Sequence, residues 1–404
     1  MNILIISQRC PFPPNKGEKI RTFHHLKFLK EQGHQLFLAS PYEDDSELPF
    51  FSTLAEGYCQ HISYSKLPHK MFRLLMGLVT GKALSIANFY HSALQNKIDK
   101  QLLENNIDVI YCCASSVAEY VFNSNVINQL TNKPRLIMDF MDVDSDKWSQ
   151  YAHKTSWPLK YIYQREAKLI ARFEKKIASS FDHCILITQA EVSLFQQIHG
   201  SQFEIHAIEN GLDTTAFYPP SAPRDLQSPR LLFAGVMDYA PNVDAVMWFI
   251  DHVWSSIVAK WPQATFCIAG MDPVEKIKKL HGINGIEVTG FVEDIKPYFD
   301  NANIFVAPFR LARGVQNKVL QAFASGLPVI ATPMGAEGVK CVDNQDILIA
   351  STAAEFITNL TILMSDKNKY NEISSNALTV IEDNYAWDSV LAPLKNLIAE
   401  EAKA

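Results

Sequence analysis

Short apolar runs rich in β-branched and aromatic residues alternate with segments of helical period along this whole chain, in two successive series. That alternation is the pattern of parallel sheets wound with helices on both faces, so the sequence predicts an α/β fold of two doubly wound domains. Strands are predicted near 2–8, 34–40, 58–63, 107–113, 134–140, 182–188 and 203–208 in the first series. In the second they are predicted near 231–235, 264–270, 285–289, 303–308, 327–332 and 347–349. The 404 residues suffice for two such domains.

Between the series, Tyr218-Pro219-Pro220-Ser221-Ala222-Pro223 and Ser228-Pro229 form a stretch in which neither a helix nor a central strand survives. The expected division is a first domain over 1–215, a second over 216–384, and a helical tail over 385–404 that opens with Tyr385-Ala386-Trp387. Doubly wound sheets bind ligands outside the carboxyl ends of their strands, so an active site is expected in the crevice between the domains.

Composition excludes several classes. Residues 1–215 carry 22 basic and 22 acidic side chains, and the remainder carry 15 against 21, so no basic excess marks a general nucleic-acid binder. Lys16, Arg73 and Lys82 interrupt the apolar stretches that would otherwise approach membrane-spanning length. The start, Met1-Asn2-Ile3-Leu4-Ile5-Ile6-Ser7, lacks a basic region and a small-residue cleavage site, and the expected location is the cytoplasm. Seven scattered cysteines without C-x-x-C spacing read as reduced, mostly buried thiols. Buried packing is also the reading for Cys112-Cys113 and His24-His25. Fingerprints of dehydrogenases, P-loop NTPases, α/β-hydrolases and zinc proteases are missing.

The informative segment runs from Ile304 to Thr332 and reads as strand, loop, helix, strand. Gly314 is expected to open the helix and Gly326 to close it, with Val319 and Phe323 forming the buried stripe and Lys318 and Gln321 sharing the opposite face. A helix start with Arg313 before it and Lys318 in its first turn suits a diphosphate, and Gln321 one turn deeper is placed for a sugar hydroxyl. Asp142-Val143-Asp144-Ser145-Asp146 lacks the glycine and glutamate of a calcium loop, since Lys147 and His153 stand there. An acidic turn capping a helix and a sugar contact by Asp142 both fit this cluster.

Arg313, seven residues, Gln321 and then Ala322-Phe323-Ala324-Ser325-Gly326-Leu327-Pro328-Val329-Ile330-Ala331-Thr332 resemble the nucleotide-sugar signature of the GT-B glycosyltransferases of family 4, E-x7-E followed by A-x-A-x-G-x-P-V-I-A-T. The resemblance extends to Gly17 after the first strand, the Gly33-His34 turn, Asn210-Gly211-Leu212-Asp213 with Phe217, and the strand ends at Gly235, Gly270 and Gly290. Met237-Asp238-Tyr239-Ala240-Pro241-Asn242 and residues 313–318 resemble the sugar transferases encoded with exopolysaccharide and exosortase (PEP-CTERM) systems.

The resemblance implies a GT-B pair of Rossmann-like domains that moves a sugar from a nucleotide-diphosphate donor, the co-substrate, to a glycan or lipid-linked acceptor. It implies retention of configuration, no bound metal and no further cofactor. Arg313, Lys318 and Asp142 take the catalytic roles; Gly17, Gly235, Gly314, Gln316, Asn317, Gln321 and Glu337 take donor binding. For Glu337, a donor-sugar contact and a plain turn fit equally. Both signature glutamates are replaced, by Arg313 and Gln321, and the Arg and Lys usual after the second domain's first strand are absent, so Arg313 is expected to supply the missing phosphate charge. These departures leave a non-catalytic binding module open, and the fold also accommodates a nucleotide-sugar epimerase or hydrolase. Finally, residues 57–98 contain five cations and no acid. Their apolar residues fit ordinary core packing, or peripheral contact of 66–82 with an anionic membrane.

Overall fold

A computed structural model describes residues 1–311 and 315–400, with the backbone alone at Lys154. Two compact units are present: Met1–Asn210 together with the chain from Val390 onward, and Gly211–Ser389.

The first unit is built on seven parallel strands: β1 (Asn2–Ser7), β2 (Gln35–Tyr42), β3 (His61–Lys66), β4 (Val109–Cys113), β5 (Arg135–Met141), β6 (His183–Leu186) and β7 (Ile205–Ala207). Their order is β3-β2-β1-β4-β5-β6-β7. Ile3 pairs with Leu36 on one side and Val109 on the other, so β1 is central, and its unbroken run Ile3–Ile6 suits a strand covered on both faces. Helix Gly17–Glu31 follows β1, and the left-handed Gly33 (φ +83°) turns the chain into β2.

Burial of charge in this unit is resolved by pairing. Arg21 and Asp139 are 1% and 0% exposed, and the guanidinium donates from Nε to Oδ2 (2.7 Å) and from Nη2 to Oδ1 (3.1 Å). His25 Nδ1 lies 2.7 Å from the Tyr111 hydroxyl, and that hydroxyl donates to Asp139 (3.4 Å). Burial, with Arg21 nearby, pushes His25 well below its usual range, so the ring is neutral. The expected buried packing of His24-His25 and Cys112-Cys113 is what the structure shows. None of the seven cysteines forms a disulfide among the described residues, and five are buried.

The second unit carries β8 (Arg230–Ala234), β9 (Thr265–Ala269), β10 (Ile286–Val288), β11 (Ile304–Ala307), β12 (Val329–Ala331) and β13 (Leu348–Ile349). The order β10-β9-β8-β11-β12-β13 is again parallel, and its direction reverses between β8 and β11. Each predicted strand is present.

The division between units differs from the expected one. It falls between Asn210 and Gly211, ahead of the proline-rich stretch, because that stretch is fastened to the second unit. Leu212 donates its amide to Tyr385 O (2.6 Å), Phe217 packs edge-on against Phe299, and the Arg224 guanidinium donates to the carbonyls of Phe299, Ala302, Ser325 and Gly326. The expected tail is also divided: helix Trp387–Ala399 starts in the second unit, but from Val390 it buries Leu391, Leu394 and Ile398 in the first. Buried Arg135 donates there to Ile398 O.

Breaking a buried ion pair strands one charge. Asp139→Ala is expected to lower stability by about 3–5 kcal/mol in urea denaturation, whereas Arg21→Met with Asp139→Leu restores most of the loss. A single-variant loss below about 1 kcal/mol would show that the pair is not what holds this core.

Candidate functional site

In the second unit the residues of interest collect at the carboxyl ends of β8 and β11, where the strand order reverses and doubly wound sheets present their ligand crevice. Helix Asn317–Ala324 begins with Gln316 at its N-cap; it does not open at Gly314 as expected. It closes as predicted, on left-handed Gly326 (φ +63°), with Leu327 N donating to Ala322 O and Gly326 N to Phe323 O. Arg313 and Gly314 lie outside the described residues.

Lys318, in the first turn of this helix, is half-buried rather than on a solvated face. Its ammonium stands 4.7 Å from the Phe309 ring centre and 5.6 Å from that of Phe233, and it donates to Asn242 Oδ1 (2.7 Å). Among the described residues no carboxylate pairs with it. Burial lowers its pKa from the usual 10.5 to about 8. The site therefore holds a desolvated cation supported by an amide oxygen and two aromatic faces, an arrangement suited to an incoming anion.

Neighbouring residues fix this geometry. Asn242 is buried in the first turn of helix Ala240–Phe249 and donates Nδ2 to Val236 O (2.8 Å), which aims its oxygen at Lys318. Thr332, at the end of β12, donates to Phe309 O (2.5 Å) and accepts from Gly335 N (3.0 Å), which holds the Phe309 loop under the ammonium. Gly235 leaves room for the pair, since a Cβ there would lie 2.7 Å from Asn242 Nδ2 and 3.3 Å from Lys318 Nζ. Gly270 lets the β9 end lie against it: a Cβ would come 1.8 Å from Gly235 O.

Gln321 is half-buried one turn beyond Lys318; Gln316 is half-buried and Asn317 exposed at the helix start. Glu337 is exposed in the turn after β12, its amide donating to Met334 O (3.3 Å). Loops after β8, β9, β10 and β11 expose Val236, Met271, Phe291 and Leu311 at the same end of the sheet.

Gly17 and Asp142 belong to the first unit and line a cavity of 270 Å³ at the carboxyl ends of its strands. Gly17 is the first residue of its helix, and open space surrounds it where a side chain would stand. Ala114 (φ +84°) and Met141 (φ +68°), both left-handed, end β4 and β5 at this cavity. Asp142 is exposed and does not cap the following helix, which begins at Asp144 with Val143 at its N-cap. The carboxylate held in place here is Asp144, which accepts from Ser115 Oγ (2.8 Å); burial raises its pKa to about 6. Arg21 reaches the same cavity by donating to Asn210 Oδ1 (2.9 Å). Sequence reasoning missed Asn242 as the partner of Lys318, though it closes the Met237–Asn242 motif, and missed Asp144, which lines the same cavity as Asp142.

Residues 228–366 match the family model for glycosyl transferases group 1. An uncharacterised 44.6 kDa protein in the cps region of Klebsiella pneumoniae is 23% identical over 405 residues, covering 97% of this chain and 98% of that protein. The lipopolysaccharide core biosynthesis mannosyltransferase LpsB of Rhizobium meliloti is 23% identical over 197 residues, 44% of this chain and 56% of LpsB. The solved structure of Anabaena HepE in complex with UDP is similar with a TM-score of 0.58 at 15% identity, covering 99% of this chain and 100% of that one. The two parallel sheets are those of the GT-B glycosyltransferases. The glycosyl transferase match falls on the unit that carries Lys318 and supports a transferase activity.

Asn242→Ala removes both the bond to Val236 O and the support of Lys318. It is expected to lower the thermal midpoint by an amount equivalent to about 1–3 kcal/mol. Gly270→Ala is expected to be more damaging still, because backbone stands where its methyl must go; equal midpoints for Gly270→Ala and the parent protein would contradict the close approach.

Proposed function

We propose that this chain transfers a sugar from a nucleotide-diphosphate donor to a glycan or lipid-linked acceptor during assembly of a cell-surface polysaccharide. The observation that carries the reading is Lys318, a half-buried ammonium with an amide and two rings around it and no carboxylate partner among the described residues. A departing nucleoside diphosphate gains negative charge in the transition state, and a preorganised, desolvated cation stabilises that charge more than it stabilises the ground state. Gln321, one helical turn deeper, serves the ribose as both donor and acceptor. The exposed apolar loop residues Met271 and Phe291 offer surface to a base.

Support for the donor class comes from HepE, solved with UDP and with UDP-glucose. The cps-region relative and LpsB support a cell-surface glycan as product. Retention of configuration, independence of metal and membership of family 4 with its exopolysaccharide-associated branch complete the proposal, on the sequence resemblance.

Protonated Lys318 is the binding form for a diphosphate, and its pKa near 8 places the loss of charge within reach. UDP affinity, measured by calorimetry, is expected to fall as pH rises from 7 to 9. Lys318→Met is expected to abolish that pH dependence and to weaken binding about 10–100-fold at pH 7. The sign for stability is opposite. The lysine binds its proton less tightly when folded, so the parent protein is expected to gain stability as pH rises between about 8 and 10.5. Lys318→Met is accordingly expected to raise the thermal midpoint at pH 7 while losing UDP. Equal binding of UDP and other nucleoside diphosphates by Lys318→Met and the parent protein would overturn the reading.

A further inference from the structure

Helix Lys70–Val79 of the first unit is inside out. Its buried positions are Arg73 and Gly77, while Met71, Phe72, Leu75, Met76, Leu78 and Val79 are exposed, from 42% at Met76 to 74% at Val79. This corrects the expectation that these apolar residues fill the core. The cause is local. Arg73 turns inward to Glu43 (2.6 Å) and to Asn88 O. Gly77 lets the helix lie directly against Leu84–Phe89, where a Cβ would come 2.7 Å from that of Ala87. With Arg73 and Gly77 committed to the protein, the helix beyond exposed Lys70 presents mainly apolar side chains outward. A surface of that kind marks an interaction site.

We propose that this helix docks the protein on a bilayer containing anionic phospholipid, lying in the interface with its apolar side chains among the acyl chains. The charges select this occupant. No acid occurs from 57 to 98. The acids that face the segment from neighbouring elements, Glu43, Asp45 and Glu119, are taken up by Arg73, Lys66 and Lys82. Lys70, which starts the helix, and Lys160 have no ion-pair partner among the described residues. A second copy of the chain would bring like charges to this face, whereas phosphate headgroups neutralise them.

A second helix is tied to the chain just after Val79. Arg165 Nη2 donates to Lys82 O (3.0 Å), and buried Glu166 accepts from the amides of Leu84 and Ser85 (both 2.7 Å), which joins helix Leu159–Ser180 to the turn after Val79. Tyr161 lies one turn before Arg165 on the same face, and both it and Trp157 are exposed. Tyr and Trp rings favour the headgroup level of a bilayer. No helix among the described residues is long and apolar enough to cross a membrane, so this contact is peripheral.

The proposal goes beyond sugar transfer and is tested without substrate. The full-length protein is sedimented with vesicles of phosphatidylcholine, alone or with roughly one-third phosphatidylglycerol. Partition is expected to be at least about tenfold stronger with phosphatidylglycerol. Phe72→Ser with Leu75→Ser is expected to reduce it by about 100-fold, and Lys70→Glu by about fivefold. Circular dichroism and UDP titration of the same variants report folding and the nucleotide site separately. Absence of partition into anionic vesicles, partition that Phe72→Ser with Leu75→Ser leaves unchanged, or a dimer in sedimentation velocity that this double variant dissociates would overturn the proposal.

Discussion

The second unit is organised around the placing of one ammonium group in a position that water only partly reaches. Phe233 and Phe309 supply its floor, Asn242 an amide acceptor, and Thr332 the tie that keeps the Phe309 loop in place. The glycines at the ends of β8 and β9 let backbone stand where side chains would obstruct it. Among the described residues no carboxylate cancels the charge, so folding carries an electrostatic cost of the kind an anionic ligand would offset.

The first unit treats charge differently. Its deeply buried Arg21 is neutralised in bidentate fashion by Asp139, and the remaining guanidinium nitrogen reaches the backbone and side chain at residues 209 and 210, where the first unit ends. The same pair thus braces the interior of the sheet and fixes Asn210 at the rim of the cavity that Gly17, Asp142 and Asp144 line. One unit pairs its buried charge with a carboxylate; the other surrounds its cation with an amide oxygen and two rings and, among the described residues, gives it no carboxylate.

Much of this architecture was legible in the sequence, for reasons that particular residues make plain. A buried parallel strand needs a continuous apolar run, and Ile3–Ile6 or Ile304–Ala307 has no competing interpretation, whereas β3 (His61–Lys66), an edge strand without such a run, starts three residues after the expected 58–63. Helix ends marked by glycine, such as Gly33 and Gly326, were equally clear. The start of helix Asn317–Ala324 was misplaced by three residues because Gly314 resembled an opening signal. The electrostatic state of Lys318 was not legible, since it depends on burial among residues distant in sequence, Phe233 and Asn242 among them. Periodicity left two readings open for Lys70–Val79: an amphipathic pattern reports that a helix has two faces, not which face the protein covers, and Arg73 with its distant partner Glu43 turns the apolar face outward. The proline-rich stretch suggested a boundary, but the carbonyls that Arg224 collects lie about a hundred residues downstream or less, outside any local window.

The return of the chain from Val390 into the first unit bears on the order in which the molecule is made. Arg135 and the apolar surface that receives Leu391, Leu394 and Ile398 are synthesised long before those partners exist. During translation the amino-terminal sheet therefore waits incomplete, with a guanidinium and a greasy cleft still open, while the whole second unit emerges and folds. Only then can helix Trp387–Ala399 seal it, which makes a late-made segment a closing stitch and couples maturation of the first unit to synthesis of the second.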